Sequence, residues 1–148
     1  MMKILKIKKL DPRAVLPEKA SEYAACFDLR TVLDEPYTLQ PGEFHSFHTG
    51  LAIEMPDPDC VALIYSRSGM GAKYGISLSN SVGVIDYDYR GELIISLINN
   101  SSKTFTVENG DRIAQLMVMK TEPLQAEFTD ELTSTERGSG GFGSTGKN

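Results

Sequence analysis

Leu51-Ala52-Ile53-Glu54-Met55, then Pro56-Asp57-Pro58-Asp59, then Val61-Ala62-Leu63-Ile64, is the stretch whose reading decides the fold class. Leu51, Ile53 and Met55 alternate with Ala52 and Glu54, a period of two that sends one face to a core and the other outward. The Pro/Asp cluster is a turn. The unbroken run Val61–Ile64 has the pattern of a strand buried on both faces. The same pattern recurs on either side. Leu5 and Ile7 alternate with Lys6 and Lys8, and Phe105 and Val107 with Thr104 and Thr106. Leu93–Ile98, broken only by Ser96, and Leu116–Met119 are further apolar runs expected to be buried on both faces. Gln40-Pro41-Gly42, Asn99-Asn100-Ser101-Ser102 and Asn109-Gly110-Asp111 are turn signals between them. Short strands with turns at this density predict an all-β sandwich, jelly roll or barrel. One short helix is expected, around Ser68–Tyr74.

The chain has 148 residues, the size of one domain, and 41% of them are hydrophobic, enough for a sizeable core. Fifteen Lys and Arg against 20 Asp and Glu leave a net charge of −5. That balance argues against a nucleic-acid binder, which would present a basic face. It leaves room for a nucleotide substrate, since a few cations and backbone N–H groups hold one triphosphate. The two cysteines, Cys26 and Cys60, are too few for a disulfide framework, and a reduced setting suits them. The start MMKILKIKKL lacks the apolar core of a signal peptide, and no run approaches a membrane span. The expectation is a soluble, cytoplasmic protein with no membrane partner.

Residues 1–128 read as the β core and residues 129–148 as something different. Gly138, Gly140, Gly141, Gly143 and Gly146 crowd the end of this polar tail. Such a segment buries too little to offset its ordering entropy, so a loose terminus is one reading. The other is a lid: one aromatic, Phe142, with Arg137, Ser139, Ser144 and Thr145 around it, can close over a base and its phosphates.

Three internal segments hold candidates for chemistry. Arg67-Ser68-Gly69 follows a buried run and opens the expected helix. It is either a turn with a cap or a phosphate contact offering N–H groups and a forked donor. In Asn80–Gly91, Asp86 follows two β-branched residues as though a strand carried it into a pocket. It can accept a proton from water, with Tyr89 flat against a sugar, or the segment can be a hairpin with solvated acids. His45 and His48 have the wrong setting for the helical zinc motif and read as ordinary surface or core histidines. Gly110–Gln115 is a turn entering a buried strand, with Asp111 and Arg112 a possible ion pair.

In order along the chain, these segments resemble the five motifs of trimeric dUTPases. They are Ala24-Ala25-Cys26-Phe27-Asp28-Leu29, Arg67-Ser68-Gly69-Met70, Gly83-Val84-Ile85-Asp86-Tyr87-Asp88-Tyr89-Arg90-Gly91, Gly110-Asp111-Arg112-Ile113-Ala114-Gln115 and Arg137 through Gly146. Cys26, Tyr87 and Met70-Gly71 depart from the family's usual residues. The resemblance implies a distorted jelly-roll subunit in a homotrimer, hydrolysing dUTP to dUMP and pyrophosphate. That reaction keeps uracil out of DNA and supplies dUMP for thymidylate synthesis. Asp86 would be the general base for the water attacking the α-phosphorus. Uracil would lie in the hairpin spanning Asn80 to Ile94, read at Asn80 and by backbone near Gly83, Val84 and Ile85. Tyr89 would stack under the deoxyribose. Arg67, Ser68, Gly69 and Gln115 would hold phosphates, and Asp28 would help place Mg2+ through water. Phe142 would cover the base while Arg137, Gly143, Ser144 and Thr145 close on the phosphate end.

Two rivals follow from the same resemblance. A dCTP deaminase-like enzyme shares the fold, but is similar to R-S-S rather than R-S-G at the second motif. A dUTP-sensing regulator would use the bound state to dock a protein partner.

Overall fold

Among the described residues the alternating apolar segments become twelve strands around one core. The structure, a computed structural model, describes residues 3–141. In chain order the strands are β1 (Lys6–Lys9), β2 (Glu18–Lys19), β3 (Phe27–Arg30), β4 (Tyr37–Leu39), β5 (Phe44–His48) and β6 (Leu51–Glu54). Then come β7 (Cys60–Tyr65), helix α1 (Ser68–Tyr74), β8 (Ile76–Leu78), β9 (Gly83–Ile85), β10 (Ile94–Asn99), β11 (Phe105–Val107) and β12 (Arg112–Lys120). The largest sheet runs β2-β3-β12-β7-β9, a second runs β5-β10-β8, and β1-β6 and β11-β4 are two-stranded ribbons. Short antiparallel pieces from distant parts of the chain, closed over one apolar interior, make the distorted jelly roll that the resemblance implies, one of the three architectures the alternation allows. Phe47, Leu29, Leu39, Ile76, Leu97 and Leu116 lie at its centre, each no more than 1% exposed. The helix occupies the predicted span, and Met70 turns its one buried side chain into the core.

The runs expected to be buried on both faces are not. In β7 the inward Cys60, Ala62 and Ile64 are buried, while Val61, Leu63 and Tyr65 are half-exposed. In β10, Ile95, Leu97 and Asn99 point in and Ile94 is exposed. In β12, Met117 is half-exposed and Met119 is 45% exposed. The physical reason is that each sheet meets the core with one face only, the β5-β10-β8 sheet as well as the large sheet. The outer face of the large sheet carries an apolar row, Val84 opposite Leu63 opposite Met117, that the other described residues leave partly exposed.

Residues after β12 leave the barrel. The Thr121 N–H still donates to the Asp59 carbonyl (2.7 Å), but Glu122 through Ser139 are all exposed. No helix among the described residues is long and apolar enough to cross a membrane.

Candidate active site

Two places on the barrel gather the chemistry-bearing residues. The first arises where two strands part. β8 and β10 are paired, and the Ser79 N–H donates to the Ser96 carbonyl (2.9 Å) at the end of that ladder. Beyond it the chain does not continue as a closed hairpin. β9 crosses instead to the edge of the large sheet and pairs with β7, Leu63 opposite Val84. The hairpin expected over Asn80–Ile94 is thus paired only at its base, since β9 bonds to β7 and not to β10. Its outer backbone edge joins no strand and borders a small pocket lined by Val84, Ile85, Asp86, Tyr89, Glu92 and Ile94. Asn80, exposed, lies in the tight turn that leads into β9, where the Val82 N–H donates to the Asn80 carbonyl (2.8 Å).

Asp86 directly follows β9 and is exposed where it lines the pocket. Its carbonyl accepts the Tyr89 N–H (3.1 Å), closing a turn that returns Tyr89 beside it. The Tyr89 hydroxyl donates to the Glu92 carbonyl (2.9 Å). Gly91 leaves the room: a Cβ there would lie 2.4 Å from the Tyr89 hydroxyl. Tyr87 packs against the core, with the Arg90 guanidinium 5.4 Å over its ring, so this departure from the family pattern stiffens the turn from behind. Gly83 has a structural task, since a Cβ would meet Ile64 Cβ at 3.1 Å.

The second place is a cluster of guanidinium groups. β12 opens with a bulge: Arg112 pairs with Arg30, yet Ala114 pairs with Leu29. In a regular strand Arg112 and Gln115, three apart, would face opposite ways. The extra residue turns Arg112 to the same side as Gln115 and Asp28. Arg112 then ion-pairs with Asp28 (3.1 Å) and not with Asp111, whose carboxylate instead accepts the Glu108 N–H (2.9 Å) and tightens the preceding turn. The expected Asp111–Arg112 pair is not formed. Arg67, following β7, places Nε 3.1 Å from the other Asp28 oxygen and donates to the Arg112 carbonyl (3.1 Å). Arg67 is the helix N-cap without a side-chain cap bond, and Ser68 and Gly69 open the first turn beside it. Gln115 donates from Nε2 to the Ser66 carbonyl (2.9 Å), leaving its carbonyl oxygen and a second N–H.

Arg30, Arg67 and Arg112 line one pocket with Asp111, and Asp28 lies between two of them. Three guanidiniums against two carboxylates leave the place cationic, which suits an anionic chain of phosphates. Sequence alone does not single out Arg30 and Arg112 for phosphate. Their alignment depends on the β3–β12 register, which no local pattern reveals. Both Asp28 oxygens already accept from guanidiniums. A carboxylate has about four lone-pair positions, so water fits at Asp28 better than a bare cation. Mg2+, which keeps several waters and binds through phosphates, fits there in that outer manner. The other acidic group, Asp57 and Asp59 beside Cys60, is answered by Lys3 and Lys120 and does not offer a hard oxygen cage.

The two places line separate pockets on this chain. Arg137 belongs to neither: it is exposed in the tail, its Nε donating to the Gly140 carbonyl (2.8 Å). Phe142, Gly143, Ser144 and Thr145 lie outside the described residues.

Fold and site together define a mainly β jelly-roll chain with a cationic cradle of guanidinium groups and a separate pocket edged by Asp86. Comparison with known proteins narrows that class. The model of the dUTPase family matches residues 13–146, and the chain belongs to that family. The deoxyuridine 5'-triphosphate nucleotidohydrolase of Paraburkholderia phymatum is 50% identical over 97% of this chain and 98% of its own length. That of Janthinobacterium sp. (strain Marseille) is 47% identical, covering 99% of both. Among solved structures, the dUTPase of Staphylococcus bacteriophage 80alpha with dUPNHPP superposes with a TM-score of 0.87 at 27% identity, over 98% of this chain and 99% of that one.

Proposed function

We infer that this chain hydrolyses dUTP to dUMP and pyrophosphate. The observation that carries the reading is Asp86 lining the pocket between β9 and β10, in a chain of the dUTPase family. Asp86 takes a proton from water as the water oxygen bonds to the α-phosphorus. The bond to the bridging oxygen breaks, and pyrophosphate leaves. The unpaired edge of β9 offers backbone donors and acceptors to the uracil edge, with Asn80 at the entrance. Tyr89 lies under the deoxyribose, where a 2′-hydroxyl would meet its ring.

Arg67, Ser68, Gly69 and Gln115 hold the phosphates, with Arg112 and Arg30 added from the same cradle. Asp28 would hold water around Mg2+ carried by the triphosphate, and the ion would lower the charge on the phosphates.

A base pocket and a phosphate cradle that stay apart on one chain make a complete site when copies associate. The partly exposed row Val84, Leu63 and Met117 gives such copies an apolar face to bury. Both features support a homotrimer with sites between subunits. The exposed segment from Glu122 onward then carries Arg137 and the residues after it to a site, where they act as the lid.

The experiment is turnover of dUTP, dTTP, dCTP and UTP with Mg2+, reading pyrophosphate and ammonia together. The reading requires pyrophosphate from dUTP alone. Ammonia from dCTP would make the chain a deaminase instead.

A further inference from the structure

The geometry points to Glu92 as a positioning residue that sets the Tyr89 ring, with His48 as its brace. The inference rests on the reading of Tyr89 as the ring under the sugar. Glu92 lines the pocket of Asp86 and Tyr89 on one side and, on the other, a second cavity with His48 and Gly50. Its side chain is 23% exposed and held at both oxygens. Oε1 accepts the Gly50 N–H (2.8 Å), and Oε2 lies 2.9 Å from His48 Nδ1.

Gly50 is itself tied to the neighbouring segment: its carbonyl accepts the Leu10 N–H (2.7 Å), its φ is +66°, and a Cβ there would lie 2.7 Å from Asp11. The next peptide is fixed as well. The Leu93 N–H donates to the Leu51 carbonyl (2.8 Å), and the Thr49 hydroxyl donates to the Leu93 carbonyl (2.6 Å). A trans peptide points its C=O opposite its N–H. With the Leu93 N–H directed at β6, the Glu92 carbonyl faces the other way and receives the Tyr89 hydroxyl (2.9 Å). The carboxylate locks the residue, the residue aims its carbonyl, and the carbonyl sets the ring. The tie between Glu92 and His48 joins residues 44 apart in the chain.

The consequence is specificity rather than bare stability. A ring free to tilt makes room for a 2′-hydroxyl, so loosening Glu92 should erode the preference for dUTP over UTP. The test is a double-mutant cycle on the ratio of kcat/KM for dUTP to that for UTP, using Glu92→Ala, Tyr89→Phe and both together. Glu92→Gln serves as the conservative variant, because an amide can still accept from Gly50 and donate to neutral His48. Losing one neutral hydrogen bond predicts about a fivefold fall in the ratio for each single change. The double change should fall no further than the larger single one, and Glu92→Gln should stay within about twofold of wild type.

Effects that multiply would overturn the inference. So would an unchanged ratio in Glu92→Ala accompanied by a lowered melting temperature, which is what a purely structural cap on Gly50 would give. Should Glu92→Ala not fold, His48→Ala takes its place in the same cycle: effects that do not multiply support the inference, and effects that multiply overturn it. A wild type that cleaves UTP as fast as dUTP would remove the reading of Tyr89 and this inference with it. Discrimination that is intact in wild type and indifferent to Glu92 removes the inference alone.

Discussion

Gly91→Ala adds one methyl group, and the structure says where it goes. The new Cβ would sit 2.4 Å from the Tyr89 hydroxyl and 2.5 Å from Cζ. Carbon contacts settle at about 3.5–4.0 Å, so the ring must withdraw by about 1 Å. The atoms in the way are the far end of a side chain that is 43% exposed, so the ring can swing without disturbing the core. Stability should change by no more than about 0.5 kcal/mol, as for most surface substitutions. Activity should not be spared. The swing breaks the bond to the Glu92 carbonyl and lifts the surface on which the sugar lies. A misplacement of about 1 Å near reacting groups costs about a hundredfold, or some 2.7 kcal/mol of transition-state stabilisation. Pyrophosphate release from dUTP gives kcat/KM, and a thermal melt supplies the control. A variant with wild-type kcat/KM and an unchanged melt would show that the ring can move with no effect, and the role given to Tyr89 would fall.

Three further outcomes follow from other parts of the molecule. Gly83→Ala pushes β9 off β7 through the 3.1 Å contact with Ile64, and should cost about 1–3 kcal/mol in chemical denaturation, the usual range for overpacking. Asp28→Asn should raise the Mg2+ concentration needed for half-maximal rate, read from a metal titration. A chain in which Asp28 only ties Arg67 to Arg112 would keep the wild-type Mg2+ dependence and change KM alone. The Arg13 guanidinium, hydrogen-bonded to Asp11, holds that carboxyl down from 3.8 to about 2. A folded-state value below the unfolded one stabilises fully above pH 3.8 and is lost as pH falls toward 2. The stability deficit of Asp11→Asn should therefore be present at neutral pH and fade across that window in melts.

Alternation is enough to find β1 and β11, where one face turns to the core and the other to water, and it finds β6 as well, although Ala52 on the far face is buried too. It misjudges β7, β10 and β12, whose outward apolar residues read as buried. Composition records that a face avoids water and is silent on whether the same chain covers it. Asp86 and Tyr89 stand out because both lie in one continuous segment. The partner of Arg112 does not: Asp28 is 84 residues away, and the contact depends on a bulge that reverses which way Arg112 points. The path from His48 through Glu92 to Tyr89 is hidden for the same reason. The link from His48 to Glu92 crosses between distant segments: the only local pattern around His48 is its spacing from His45, which raises a metal reading and not a tie to Glu92, and no local pattern marks Glu92.

At the centre of the proposed chemistry, Asp86 activates the attacking water without being needed to hold dUTP. Asp86→Asn keeps the size of the side chain and removes its basicity, so single-turnover pyrophosphate release and equilibrium binding of dUTP are measured together on that variant. Binding should stay nearly wild-type while the rate falls by about 10²–10⁴-fold, the usual contribution of a general base. Turnover close to wild type, or lost binding with the rate of the bound fraction intact, would contradict that role for Asp86.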